Sequence, residues 1–181
     1  MARRAILAGK ILQLLATGFV LGFTKRGRFR REILEECDRI WYSIDRKQLN
    51  HALRKLKIMG LVKTSPASDF KERYVLTPAG KSKFLLHQYY TLTLKGRKRW
   101  DGKWRMVLFD IPEARRKVRD ALRKKLKELG FLEFQKSVFI FPYPCDDEIN
   151  FVINFLDIAD YAYCVEAAIT PDAAFRSHFK L

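Results

Sequence analysis

The chain has 181 residues, 48% of them hydrophobic, which suffices for two small packed domains and argues against disorder. Its formal net charge is +16, and the charge is polarised: residues 1–94 and 95–140 are basic, whereas 141–181 are acidic. A face that polarised suits a polyanion, with nucleic acid favoured over an anionic membrane.

The N-terminus starts like a signal segment, but Lys10 and Gln13 interrupt it, and the uninterrupted apolar part, Leu14–Phe23, is about half the length a membrane span needs. A buried helix over residues 3–22 is expected, and no membrane partner. The basic turn Thr24–Arg31 follows, with Gly27 as its punctuation. A second helix over Glu32–Tyr42 takes its core side from Ile33, Leu34, Cys37, Ile40 and Trp41. Asp45 is placed to cap a third helix, Arg46–Met59, which Gly60 ends.

On a helical wheel the third helix separates into two faces. Leu49, Ala52, Leu53, Leu56 and Met59 fall in one arc; Lys47, Asn50, His51 and Arg54 lie opposite, next to Arg46. Solvated helix faces usually repeat Glu and Lys, and Asn is a poor helix former. Amide, imidazole and guanidinium together are the groups that read base edges, so this face is expected to contact DNA.

Leu61–Thr64 and Lys71–Leu76 read as two strands around the turn Ser65–Asp69, and Thr77-Pro78 caps a fourth helix, Ala79–Tyr90. Three helices, a hairpin and a closing helix make a winged helix-turn-helix. The pairing of Leu56–Val62 with Tyr74–Gly80 resembles many bacterial winged-helix regulators. Lys63, Lys71 and Arg73 on the wing, and Arg26, Arg28, Arg30 and Arg31 in the loop before the second helix, are expected to meet phosphate.

The basic connector 91–100 carries Gly96 and separates a first domain, 1–92, from a second, 101–170, with 171–181 as a tail. The second domain reads as strand (Arg105–Phe109), helix (Glu113–Leu129, stopped by Gly130), strands (Phe131–Phe134, Ser137–Phe141), helix (Glu148–Leu156) and strand (Tyr161–Ile169). This is a ferredoxin-like βαββαβ unit. The expected fold class is therefore α+β, a winged helix-turn-helix followed by a ferredoxin-like domain. Asp110 is expected to cap the first helix, with Glu113 completing a capping box. That helix is strongly basic, from Arg115 to Lys127 against Asp120, and offers either a solvated face or a second, non-specific phosphate contact. Phe175 and Phe179 in the tail share a helical face that suits either the sheet or a partner subunit.

Leu108-Phe-Asp110-Ile-Pro112, the basic helix, Leu129-Gly-Phe131 and Gln135-Lys-Ser-Val-Phe139 resemble the core of the CRISPR-associated protein two family, small ferredoxin-like proteins of which several are metal-dependent nucleases. With Trp100-Asp-Gly-Lys-Trp104 in front, the stretch resembles the central domain of the phenylacetate-degradation repressor (PaaX) family, which joins a winged helix to a domain of the CRISPR type. Members of that family generally continue into a further domain, so the resemblance assigns no acyl-coenzyme A effector here; whether there is an effector is left open.

Two functions compete. The first is a sequence-specific regulator, a repressor in kind, binding double-stranded DNA as a homodimer through its ferredoxin-like domain, in the cytoplasm on the nucleoid and without cofactor. The second is a metal-dependent nuclease in which Asp110 from each of two subunits holds magnesium and activates water. No Gly-rich phosphate loop, HExxH or nucleophile elbow supports another enzyme class.

Overall fold

The computed structural model describes residues 7–16, 27–66, 72–94 and 99–181, without the side chains of 27–34, 46, 47, 66 and 72. Residues 3–6 and 17–22 of the expected first helix, the turn Thr24–Arg26, Lys71 and Gly96 lie outside the described residues. The chain divides into two compact units, Met1–Tyr90 and Thr91–Leu181.

In the first unit, residues 7–16 form helix α1, followed by α2 (Gly27–Tyr42) and α3 (Arg46–Ile58). The hairpin β1 (Val62–Pro66) and β2 (Glu72–Leu76) comes next, then α4 (Pro78–Thr91). The core is one apolar cluster in which Ile11, Leu12 and Ala16 of α1 meet Leu53 and Leu56 of α3, Val62 and Leu76 of the hairpin, and Phe84 of α4. Helix α2 begins earlier than the acidic residues at 32–36 suggest, at Gly27, so Arg28 and Arg30 lie in its first turns and not in a loop. Of its expected core side, Ile40 is buried, but Trp41 is 51% exposed. Met59 is likewise exposed, because α3 ends at Ile58 and the chain turns before Met59 can return to the apolar arc.

Both caps expected in this unit form. The Gln48 amide donates to Asp45 Oδ1 at 3.4 Å, and the Gly80 amide donates to Thr77 Oγ1 at 3.1 Å. Gly60 holds φ +68°, a left-handed conformation that a β-carbon penalises. The turn it makes is stitched to the start of α4. The Thr77 hydroxyl donates to the Gly60 carbonyl at 2.6 Å, and the Thr77 amide to the Leu61 carbonyl at 3.1 Å. A β-carbon on Gly80 would collide with that same Leu61 carbonyl, so the close approach demands glycine.

The second unit is a four-stranded antiparallel sheet made of β3 (Trp104–Phe109), β4 (Leu132–Gln135), β5 (Val138–Phe141) and β6 (Ala162–Ala167) in the order β4-β5-β3-β6. Helices α5 (Arg116–Glu128) and α6 (Asp146–Phe155) connect the strands, so the order and the connections are those of a ferredoxin-like unit. Val107, Phe109 and Phe139 are buried on one face, where Arg123 of α5 lies over the Phe139 ring. Trp104, Met106 and Leu108 alternate onto the other face, opposite Ala167, Val165 and Tyr163 of β6. There α7 (Ala173–Phe179) folds the tail back: Phe175 and Phe179 pack on Trp104, and Asp172 accepts from the Trp104 indole at 3.2 Å.

The helix after β3 departs from expectation at its start. A short 3-10 turn, Glu113–Arg115, precedes α5, and its cap position is Pro112 with no side-chain hydrogen bond. Asp110 therefore caps nothing. Glu113, the other half of the expected box, instead accepts from Arg119 at 2.8 Å.

Candidate nucleic-acid interface

Helix α3 carries no acidic residue, and its side chains divide as the wheel implies. Leu53 and Leu56 are buried and Leu49 and Ala52 half-buried, while Asn50, His51 and Arg54 are exposed on the opposite side. Arg46 and Lys47 belong to the same helix by backbone, their side chains lying outside the described residues. Arg54 forms no ion pair among the described residues, in contrast to most arginines of the second unit. The helix is pinned to the hairpin by Lys57, whose Nζ donates to Thr64 Oγ1 at 3.3 Å.

The β1–β2 register aligns Lys63 with Val75 and Ser65 with Arg73. Lys63 and Arg73 therefore share one face of the ribbon, opposite the face from which Val62 and Leu76 enter the core. Both cations are exposed. The ribbon thus presents positive charge as a consequence of pairing register.

A concavity of about 600 Å³ lies at the end of β3. Asp110, Pro112, Ser137, Asp160, Tyr161 and Tyr163 contribute to its lining. The Asp110 amide donates to the Tyr161 carbonyl at 2.8 Å, which fixes the backbone there, while its side chain is exposed. Asp160 is an acid near the motif that sequence spacing does not reveal, because the β3–β6 pairing brings it from fifty residues away. Among the described residues no three His, Cys, Asp or Glu side chains group as a metal site.

The fold of the second unit has a counterpart among known families. Residues 97–177 match the PaaX protein central Cas2-like domain. This part of the chain is similar to that domain family. No curated protein matches the chain.

The PaaX-type domain holds its first strand by a buried cation. Arg105 is 2% exposed, yet its guanidinium donates to Asp101, to Glu166 and to the carbonyls of Lys103 and Pro142. Asp101 comes from the WDGKW segment, so that motif supplies the counter-ion for the strand behind it. The hydrogen bond from Arg105 holds the Asp101 carboxyl down at about 2.

Several cations of the basic α5 in the PaaX-type domain pair with carboxylates, while Lys117 is exposed and forms no ion pair among the described residues. Glu133 of β4 takes Lys127 at 2.7 Å and also pairs with Arg123; Glu113 takes Arg119; Glu128 lies beside Lys124 and Lys125. The hydrogen bond from Lys127 lowers the Glu133 carboxyl, and that from Arg119 lowers Glu113. Among the described residues no helix is long and apolar enough to cross a membrane.

Proposed function

We propose that this protein is a transcriptional regulator whose first unit is a winged helix-turn-helix binding double-stranded DNA. The observation that carries the reading is α3: an acid-free helix with an apolar side in the core and Asn50, His51 and Arg54 turned outward. Amide and guanidinium groups make paired hydrogen bonds to adenine and guanine edges in the major groove. Lys63 and Arg73 from the ribbon, with Lys71, Arg28, Arg30, Arg46 and Lys47, supply phosphate contacts that fix register. The PaaX-type domain supports the same reading at family level, since it accompanies regulators that repress by binding DNA.

A single winged helix reads few base pairs, so the functional species is a homodimer joined through the PaaX-type domain, presenting two half-sites. Exposed Tyr163 and Val165 on edge strand β6, and exposed Phe134 on edge strand β4, support that surface. The protein acts in the cytoplasm, where its DNA is, as a repressor that blocks access to the sites it occupies, and needs no cofactor.

Selection of bound fragments from genomic DNA, with light scattering on the free protein, tests this. The expected outcome is a two-fold symmetric enriched motif and a dimer at tens of micromolar. Uniform recovery of all fragments, or a monomer bound one to one, overturns it.

A second reading, a magnesium-dependent nuclease, is favoured by one observation. Asp110 is released from capping and shares its hollow with Asp160. Asp110 in each subunit is the acid on which such a site would be built.

A further inference from the structure

Helix α5 divides its cations into two sets. One set is held by hydrogen-bonded carboxylates: Arg119 donates to Glu113 at 2.8 Å, Lys127 stands 2.7 Å from Glu133, and Arg123 pairs with Glu133 as well. The other set is loose. Arg116 comes no closer than 3.8 Å to Asp120 and 3.9 Å to Glu113, and Lys124 lies 4.0 Å from Glu128. Those separations are too long for hydrogen bonds. Lys117 is exposed and forms no ion pair among the described residues. The Arg116 and Lys124 side chains are 69% and 80% exposed, so solvent screens what pairing remains.

We propose that Arg116, Lys117 and Lys124 make the outer side of α5 a second DNA contact, one that grips backbone phosphates without reading sequence; this rests on DNA binding by the protein as proposed above. The chemistry of the face selects the partner. Every exposed residue of α5 is charged: Arg116, Lys117, Asp120, Lys124, Lys127 and Glu128. The face therefore offers no amide to read an adenine edge, and cations that meet phosphate position a protein without specifying sequence. A helix that lies on lipid turns an apolar side outward, whereas Leu122 and Leu126 of α5 are buried in the core.

Loose pairing makes the contact accessible. Exposed ion pairs contribute little, so Arg116 and Lys124 exchange their distant carboxylates for phosphate readily, and the DNA releases condensed counter-ions as they do. Arg119, Arg123 and Lys127 would each have to leave a close carboxylate first. Lys117 and Lys124 are two turns apart on one side, about 10 Å along the axis, or roughly three phosphate steps of one strand.

The test compares the full-length protein with a variant carrying Arg116→Gln, Lys117→Gln and Lys124→Gln. Fluorescence anisotropy is followed on a selected duplex and on a random one across a salt series, with circular dichroism as the check on folding. The expected result is a salt slope lower by about two to three on both duplexes and an affinity about tenfold weaker at about 100 mM salt. The ratio between selected and random DNA should not change. Lys117→Gln alone should lower the slope by about 0.9, whereas Lys127→Gln, an equal change of charge at a held cation, should lower it by less than about 0.5. Should the triple variant fail to fold, Lys117→Gln, which breaks no ion pair, decides. An unchanged slope, or equal losses from Lys117→Gln and Lys127→Gln, overturns the proposal and leaves the reading of α3 standing where Asn50→Ala still relaxes specificity. A lowered slope with Asn50→Ala and Arg54→Ala neutral upholds it and removes the α3 assignment instead. Wild-type protein that binds neither duplex at low salt overturns both. Binding to phosphatidylserine vesicles that the triple variant loses, with DNA binding unaffected, overturns it in favour of a membrane surface.

Discussion

Asp101 and Arg105 meet as a two-pronged pair, Nη1 to Oδ1 and Nη2 to Oδ2, each at 2.6 Å. Arg105 sits in the central strand β3, and burial leaves its Nε without a partner among the described residues, so this cation depends on its carboxylates. Asp101→Asn keeps the shape and removes the charge. The expected cost is about 1 kcal/mol, at the low end for a charged hydrogen bond because the Asp101 side chain is half exposed and Glu166 remains. The sign with pH follows from the depressed carboxyl, about 2 against an ordinary 3.8. Its stabilisation is present above the ordinary value and is lost as pH falls through 2. Acid unfolding followed by circular dichroism should show a shallower loss between those values in Asp101→Asn than in the wild type.

Readers and positioners on the first unit should separate by salt and sequence. Asn50→Ala or Arg54→Ala should cost about 1–3 kcal/mol at one base position of the selected site and leave random DNA binding unchanged. Lys63→Ala or Arg73→Ala should weaken specific and random DNA alike and reduce the salt slope by about one. Fluorescence anisotropy across a salt series measures both. Identical behaviour of the two sets would remove the assignment.

Gly80→Ala tests the stitch between the α3 turn and α4. The new methyl meets the Leu61 carbonyl, which also accepts from the Thr77 amide, so relief requires moving backbone. Denaturant unfolding should show a loss of about 2 kcal/mol, with DNA affinity falling in parallel. Gly102→Ala is the contrast: its φ is +79° and its added β-carbon meets nothing, so it reports strain without collision.

Asp110→Asn distinguishes regulator from nuclease. Because Asp110 makes no cap, the amide should change stability by less than about 0.5 kcal/mol, and DNA affinity should hold. Wild type and mutant are then compared with magnesium and manganese on single- and double-stranded DNA and RNA. No metal-dependent cleavage is expected from either. Turnover by the wild type that vanishes in the mutant would establish the second reading.

What the amino-acid order determined by itself is local. The 3.6-residue period of Leu49, Ala52, Leu53 and Leu56 marks the buried side of α3, and so leaves Asn50, His51 and Arg54 outside. Thr77 and Gly60 announce their turns by chemistry that acts within a few residues, and the strand–helix–strand–strand–helix–strand sequence of the second unit is read from periodicity alone. What only the tertiary structure decided depends on which strands become neighbours. The order β4-β5-β3-β6 brings Asp160 toward Asp110 and Glu166 beside Arg105. It sets Glu133 of β4 beside Arg123 and Lys127 of α5. The tail's two phenylalanines found Trp104 for the same reason: burial of an aromatic face rewards contact with whatever apolar surface the sheet leaves uncovered, and helical spacing does not say where that surface is.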